Sequence, residues 1–294
     1  MAGMQNLEQT QVFNLARKPY NRDTLVNYIF TGTLFGVAVI GAIPLFSVLY
    51  MLITRGSSRL NWDLFTQLPP AGFMSGGGIG NAIVGTLVMI AIACLFSVPL
   101  GVMGGVLTGS LAPKSRTART VRFIAKVMSG FPSILAGVFV YALLVVGLGT
   151  YSALAGGIAL AILMLPIILL TSEQAVSMVP QRMKDAAFGM GCTHGQVVTK
   201  VVLPTAMPAI LTGIMLSIAR AAGESAPLLF TALFSNFWIR GLIEPTASLS
   251  ILIYNFSGMP FPNQIELAWA GSLVLVLIVF AFNVLSRIIG RPRY

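Results

Sequence analysis

Six apolar runs, each long enough to cross a bilayer, constrain this chain more than any other feature. They cover about residues 27–53, 81–110, 127–148, 152–171, 205–233 and 266–288. A helix needs ~20 apolar residues to span the hydrocarbon core, where the backbone must satisfy its own hydrogen bonds. Of the 294 residues, 56% are hydrophobic and only 9% are charged; soluble domains carry about 25% charged residues. The expectation is an all-α polytopic membrane protein with six transmembrane helices. Residues 1–26 read as a polar tail, and 27–290 as one membrane domain. The first apolar run is too long for a secretory signal and lacks a small-residue cleavage site.

The net charge of +10 invites a nucleic-acid reading, but its distribution argues otherwise. With the N-terminus inside, fourteen of the eighteen Lys and Arg fall on inner segments. Only Arg55, Arg59 and Arg240 fall outside, and Arg220 lies within a span. This is the positive-inside bias, which places both termini in the cytoplasm and makes anionic lipid the natural neighbour of the basic excess. No nucleic acid is expected as a partner.

Several chemistries are disfavoured by what is missing. Cys94 falls in the second run and Cys192 in a polar loop, so no disulfide is expected. The single His194 has no ligand partners at metal spacing. Gly76-Gly77-Gly78 marks irregular backbone, but Asn81 breaks the spacing of a phosphate-cradling loop. No Gly-Lys dipeptide occurs in the sequence, so no nucleotide site and no metal are expected on this chain. Within the second run, Gly101 and Gly105 share a face and would let another helix approach closely. Ser129-Gly130-Phe131-Pro132-Ser133 should break the helix at the inner border of the third span.

The segment 180–204 is the longest mildly polar stretch between apolar runs. Arg182, Lys184, Asp185, His194 and Lys200 would be costly in hydrocarbon, so this stretch should sit in water or against a protein. Two short helices separated by a turn fit it. Gly191 is a natural terminator for the first, and Thr193 with Gln196 fits a capping box for the second. Asp185-Ala186-Ala187, Gly191, Val201 and Leu203-Pro204 resemble the cytoplasmic signature loop of ATP-binding-cassette importer permeases. That pattern is Glu-Ala-Ala, three residues, Gly, nine residues, Ile, one residue, Leu-Pro. Asp185 stands for Glu and Val201 for Ile. The resemblance implies a cytoplasmic coupling loop that docks into a groove on an ATPase subunit and carries the stroke of ATP hydrolysis into the membrane.

The fifth run carries Arg220 and Glu224, four residues apart and therefore on one helical face. Gly213, Ser217 and Thr231 extend that stripe if the helix is continuous. An Arg at mid-span costs about 2.5–3.5 kcal/mol on insertion scales, so such a stripe should face the bundle interior or a water-filled path. Arg220, Glu224 and Ser217 are the candidate path residues; a self-neutralising structural pair is the alternative. Gly78 through Thr86 resembles the entry to the core of importer permeases in general, while Ile218 through Leu229, Trp269-Ala270-Gly271 and the Pro132-Ser133 step resemble the permease subunits of phosphate-specific importers.

That resemblance implies the importer permease fold and passage of inorganic phosphate. It also implies three kinds of partner: a second, related permease, an ATPase dimer holding ATP and Mg, and a periplasmic phosphate-binding protein. The chain itself would be a transport subunit of the inner (plasma) membrane with no cofactor and no catalytic residue. The long outer segment 234–264 is a plausible landing area for the binding protein or a simple connection. Rival readings are the same machine for sulfate or another oxyanion, an ion-coupled secondary carrier, and a signalling scaffold.

Overall fold

The structure, a computed structural model, describes residues 22–289. All regular structure among them is helical. The chain divides into two units at Met51 and Leu52. The first is the long helix α1, Arg22–Gly56 up to that point, with Pro44 inside it. Residues 22–26, expected in the polar tail, already belong to this helix; the rest of the tail, 1–21, lies outside the described residues.

The second unit begins with the last turn of α1 and the short helix α2, Trp62–Thr66. Asn61 caps α2 by accepting from the Leu64 N–H at 3.0 Å. Five longer helices follow: α3, Gly80–Leu111; α4, Arg116–Ser129; α5, Ser133–Leu148; α6, Ala153–Ser177; and α8, His194–Gly223. The short helix α7, Gln181–Gly189, lies between α6 and α8. Two short helices, α9, Ala226–Thr231, and α10, Leu249–Ser257, precede the closing helix α11, Pro262–Ile289. Among the described residues five helices are long and apolar enough to span a membrane, and α4 with α5 makes a sixth if that bent pair counts as one.

Glycine lets α3 and α6 form the centre. A Cβ on Gly105 would stand 2.8 Å from the Leu169 carbonyl oxygen and collide with Ser172. A larger residue would therefore push the two backbones apart. Met89, Leu160, Met164, Ile168, Ile210 and Ile251 fill the resulting core. A second cluster, around Leu64, Leu249, Leu252 and Leu267, sits where α2, α10 and α11 meet.

Four expectations need correction. The third span does not run unbroken over 127–148. The break expected at Ser129–Ser133 is present, but it turns the chain by 105° between α4 and α5, because Gly130 and Pro132 end the first helix before Ser133 starts the second. The fifth span does not run to 233. It ends at Gly223, since Pro227 has no N–H to donate and its ring would clash with the Gly223 carbonyl in a continuous helix. Thr193–Lys200 is not a separate short helix but the start of α8, continuous through a π-helical turn at Val198–Val202. Finally, the segment 234–264, read as a landing area or a simple connection, is neither wholly loop nor wholly exposed. Helix α10 occupies part of it and is largely buried.

Candidate functional site

Two regions hold the candidate side chains. The first is the turn between α7 and α8. Helix α7 ends in a Schellman motif: the Cys192 N–H donates to the Ala187 carbonyl at 3.1 Å and the Gly191 N–H to the Phe188 carbonyl at 2.9 Å. Gly191 sits at φ +82°, with open space where a Cβ would be, so backbone conformation alone demands glycine there. Thr193 then starts α8. Its hydroxyl accepts from the Gln196 N–H while the Gln196 side chain accepts from the Thr193 N–H at 2.9 Å, completing the capping box.

Burial divides the signature residues into two sets. Ala187 is buried with Val197, Val198 and Val202, and Cys192 packs on the same cluster. Val201 and Leu203 are part-buried within α8, while Pro204 is exposed. Asp185 and Ala186 are exposed, and Asp185 accepts from the Gln181 side chain at 2.9 Å. Met183, Phe188 and Met190 are exposed alongside. The Phe188 and His194 rings stand 4.8 Å apart, tilted. The small residues thus fix the turn on the bundle, and an apolar, flexible-sided surface faces outward.

The second region is the break at the far end of α8. Arg220 lies in the last turn of α8, its side chain 60% exposed; Glu224 follows the helix end in extended conformation and is 20% exposed. Their nearest approach, Nε to Oε1, is 3.6 Å. Helix α10 holds this break from the other side. The Ser250 hydroxyl donates to the Glu224 carbonyl at 3.0 Å, and the Leu249 N–H donates to the Thr86 hydroxyl of α3 at 2.9 Å.

The continuous polar stripe anticipated in the sequence does not form. Ser217 is fully buried and its hydroxyl donates to the Ile214 carbonyl at 2.6 Å. Thr231 is equally buried and donates to the Pro227 carbonyl. Gly213 packs against Thr171 of α6. Only Arg220 and Glu224 meet at an accessible surface, and Ser217 belongs to the packing of the bundle.

Sequence reasoning missed a further charged pair. Arg122 of α4 lies 2.5 Å from Glu173 of α6 and also donates to the Thr108 carbonyl of α3 at 3.1 Å. The residues are far apart in sequence, and no periodicity links them. Among the described residues no cluster of His, Cys, Asp or Glu could hold a metal ion, and Cys94 and Cys192 are both free thiols.

The family profile described as "Binding-protein-dependent transport system inner membrane component" matches residues 97–292. Phosphate transport system permease protein PstA of Yersinia pestis is 39% identical over 242 residues, 82% of each chain. The PstA of Haemophilus influenzae is 37% identical and covers 89% of this chain and 93% of its own.

The chain belongs to the PstA family of permeases.

Solved structures extend the likeness to the fold. A chain of the MetNI methionine ABC transporter in inward-facing form superposes with a TM-score of 0.57 at 23% identity, over 73% of this chain and 93% of that one. A chain of a bacterial alginate transporter superposes at 0.64 and 15% identity, over 94% and 100%. This PstA-family permease is therefore an all-α, multi-pass inner-membrane protein with the importer permease fold. It is a transport component and not an enzyme. Permeases of this kind work with an ATPase and a substrate-binding protein.

Proposed function

We propose that this chain is one permease subunit of an ATP-driven importer that moves inorganic phosphate into the cytoplasm. The observation that carries the reading is Arg220. It is a largely exposed guanidinium in the last turn of α8, within an apolar run that continues past the break through α9, with a carboxylate 3.6 Å away. Exposing such a group toward lipid is costly, which favours a polar path or a partner surface. The name borne by relatives over most of the chain supports phosphate as the anion.

In this reading both termini and the 180–204 loop are cytoplasmic, on the charge asymmetry. A PstB-like ATPase dimer holds ATP and Mg and grips the exposed side of α7. A related, PstC-like permease covers the Arg220 face of α8, leaving a path between the two permeases. A PstS-like periplasmic protein delivers the ion at the opposite end.

No bond in phosphate is made or broken. Hydrolysis on the ATPase displaces α7, and the short Schellman turn passes the displacement straight into α8. Arg220 lies on that same helix, roughly 40 Å further along. A rigid-body shift of α8 would therefore move the guanidinium between outward- and inward-facing arrangements. Arg offers planar, charge-assisted donors in place of phosphate hydration. Glu224 keeps the site from holding the anion too tightly, since an ion must leave as well as enter.

The test is uptake of radiolabelled phosphate by the assembled importer in proteoliposomes. ATP-dependent accumulation, suppressed by excess phosphate and not by excess sulfate, is the expected result. Sulfate accumulation would assign another oxyanion. Uptake driven by an ion gradient without ATP would assign a secondary carrier.

A further inference from the structure

Helix α4 carries features that phosphate movement does not use. Its axis turns 105° from α5. If α5 crosses the membrane near its normal, α4 runs close to the membrane plane. Ala118 and Ala125 are buried against the bundle, and Arg122 ties the helix to both α6 and α3. These contacts leave the opposite side uncovered. Phe123 is 67% exposed, and Ile124 and Val127 are exposed with it. This apolar edge runs on through exposed Phe131 into α5.

The charge on α4 has a single sign. No acidic residue occurs between Asp63 and Glu173, and Glu173 is taken by Arg122. Arg119 and Lys126 are exposed; seven residues apart, they stack on one side of the helix, beside the apolar edge. A strongly amphipathic basic helix at the end of a membrane bundle is the form taken by interfacial lipid-binding helices.

We propose that α4 is a membrane-interface element that binds anionic phospholipid headgroups. Phe123, Ile124 and Val127 enter the acyl boundary, and Arg119 and Lys126 meet the phosphates. Complementary charge selects this occupant. Anionic headgroups attract each nearby Lys or Arg, whereas a zwitterionic surface has no net charge to answer them. The inference does not depend on which ion the importer carries.

The experiment uses the assembled importer in nanodiscs, with a fluorophore on Phe123→Cys and every other cysteine of the complex replaced. Quenching by doxyl-labelled phosphatidylglycerol is compared with quenching by doxyl-labelled phosphatidylcholine at equal mole fraction. Two cations beside the probe should enrich the anionic lipid there by on the order of tenfold, and its quenching should dominate. The double variant Arg119→Gln with Lys126→Gln, both exposed and tolerant of change, should bring the two lipids to equal quenching. Equal quenching in the unmodified helix, or selectivity unchanged in the double variant, would overturn the proposal. So would quenching by aqueous iodide alone, or by neither lipid nor iodide, which would put water or a partner chain over this face.

Discussion

Arg122 and Glu173 stand 2.5 Å apart and join α4 to the end of α6 that leads into α7. The guanidinium also donates to the Thr108 carbonyl, in the π-helical last turn of α3. One side chain thus links three helices just before the chain turns into α7. Arg122→Gln leaves a part-buried carboxylate without its countercharge. It should destabilise the protein by on the order of 2 kcal/mol. Arg122→Gln combined with Glu173→Gln should recover much of that loss. Thermal unfolding of the detergent-solubilised chain, single against double variant, measures both.

How much of this was legible in the sequence varied with the physics. Long apolar runs reveal spans because lipid imposes a length on them, and Gly101 and Gly105 sit where the helices close. Gly191, Thr193 and Gln196 were readable because caps and positive φ demand particular residues at fixed offsets. Breaks were harder. Pro227 carried the signal that ends α8 early, but the surrounding apolar residues made the run look continuous. Helix α10 was missed because a nine-residue buried helix has the composition of an apolar loop, although Ser248 caps it through the Ile251 N–H. Nor does any local rule pair Arg122 with Glu173, since tertiary packing brings them together. For the path, spacing alone put Ser217 beside Arg220, whereas the packing of the bundle buries Ser217 and leaves Arg220 exposed.

Gly191 gives the second prediction. Its φ of +82° costs a β-branched residue about 1–2 kcal/mol, while Asn tolerates it. Gly191→Val should insert normally yet uncouple ATP hydrolysis from uptake, and Gly191→Asn should retain most coupling. Phosphate moved per ATP hydrolysed, at matched membrane abundance, is the quantity to compare. Unchanged stoichiometry in the Val variant would remove the turn from the coupling route.

Topology gives the third. Single cysteines at Lys114 and at Gly241, in a chain lacking Cys94 and Cys192, report the two sides. An impermeant maleimide added to intact spheroplasts should label position 241 and spare position 114, as the positive-inside bias requires. The reverse pattern would invert the orientation.

Thr86 gives the fourth. Its hydroxyl accepts from the Leu249 N–H at 2.9 Å in a buried setting. Thr86→Val keeps the shape and strands that donor, at a cost of about 1–3 kcal/mol. Faster hydrogen exchange should appear first in α10 and around Glu224, which Ser250 holds at 3.0 Å. Exchange unchanged in both segments would mean that α10 is held by packing alone.

The most direct test of the path is phosphate uptake by the double variant Arg220→Gln with Glu224→Gln. Each single change leaves the other charge unpaired and is hard to interpret, whereas the double change leaves no lone charge at the break. A pair serving only structure should then be replaceable, and the importer would run at its unmodified rate. A guanidinium that meets the anion is not replaceable by an amide, so the double variant should assemble with its partners yet carry no phosphate. Arg220→Lys, which keeps the charge but loses the planar fork, should retain part of the rate. Assembly at matched abundance with uptake abolished is the expected result. Uptake at the unmodified rate would contradict it and take Arg220 out of the path.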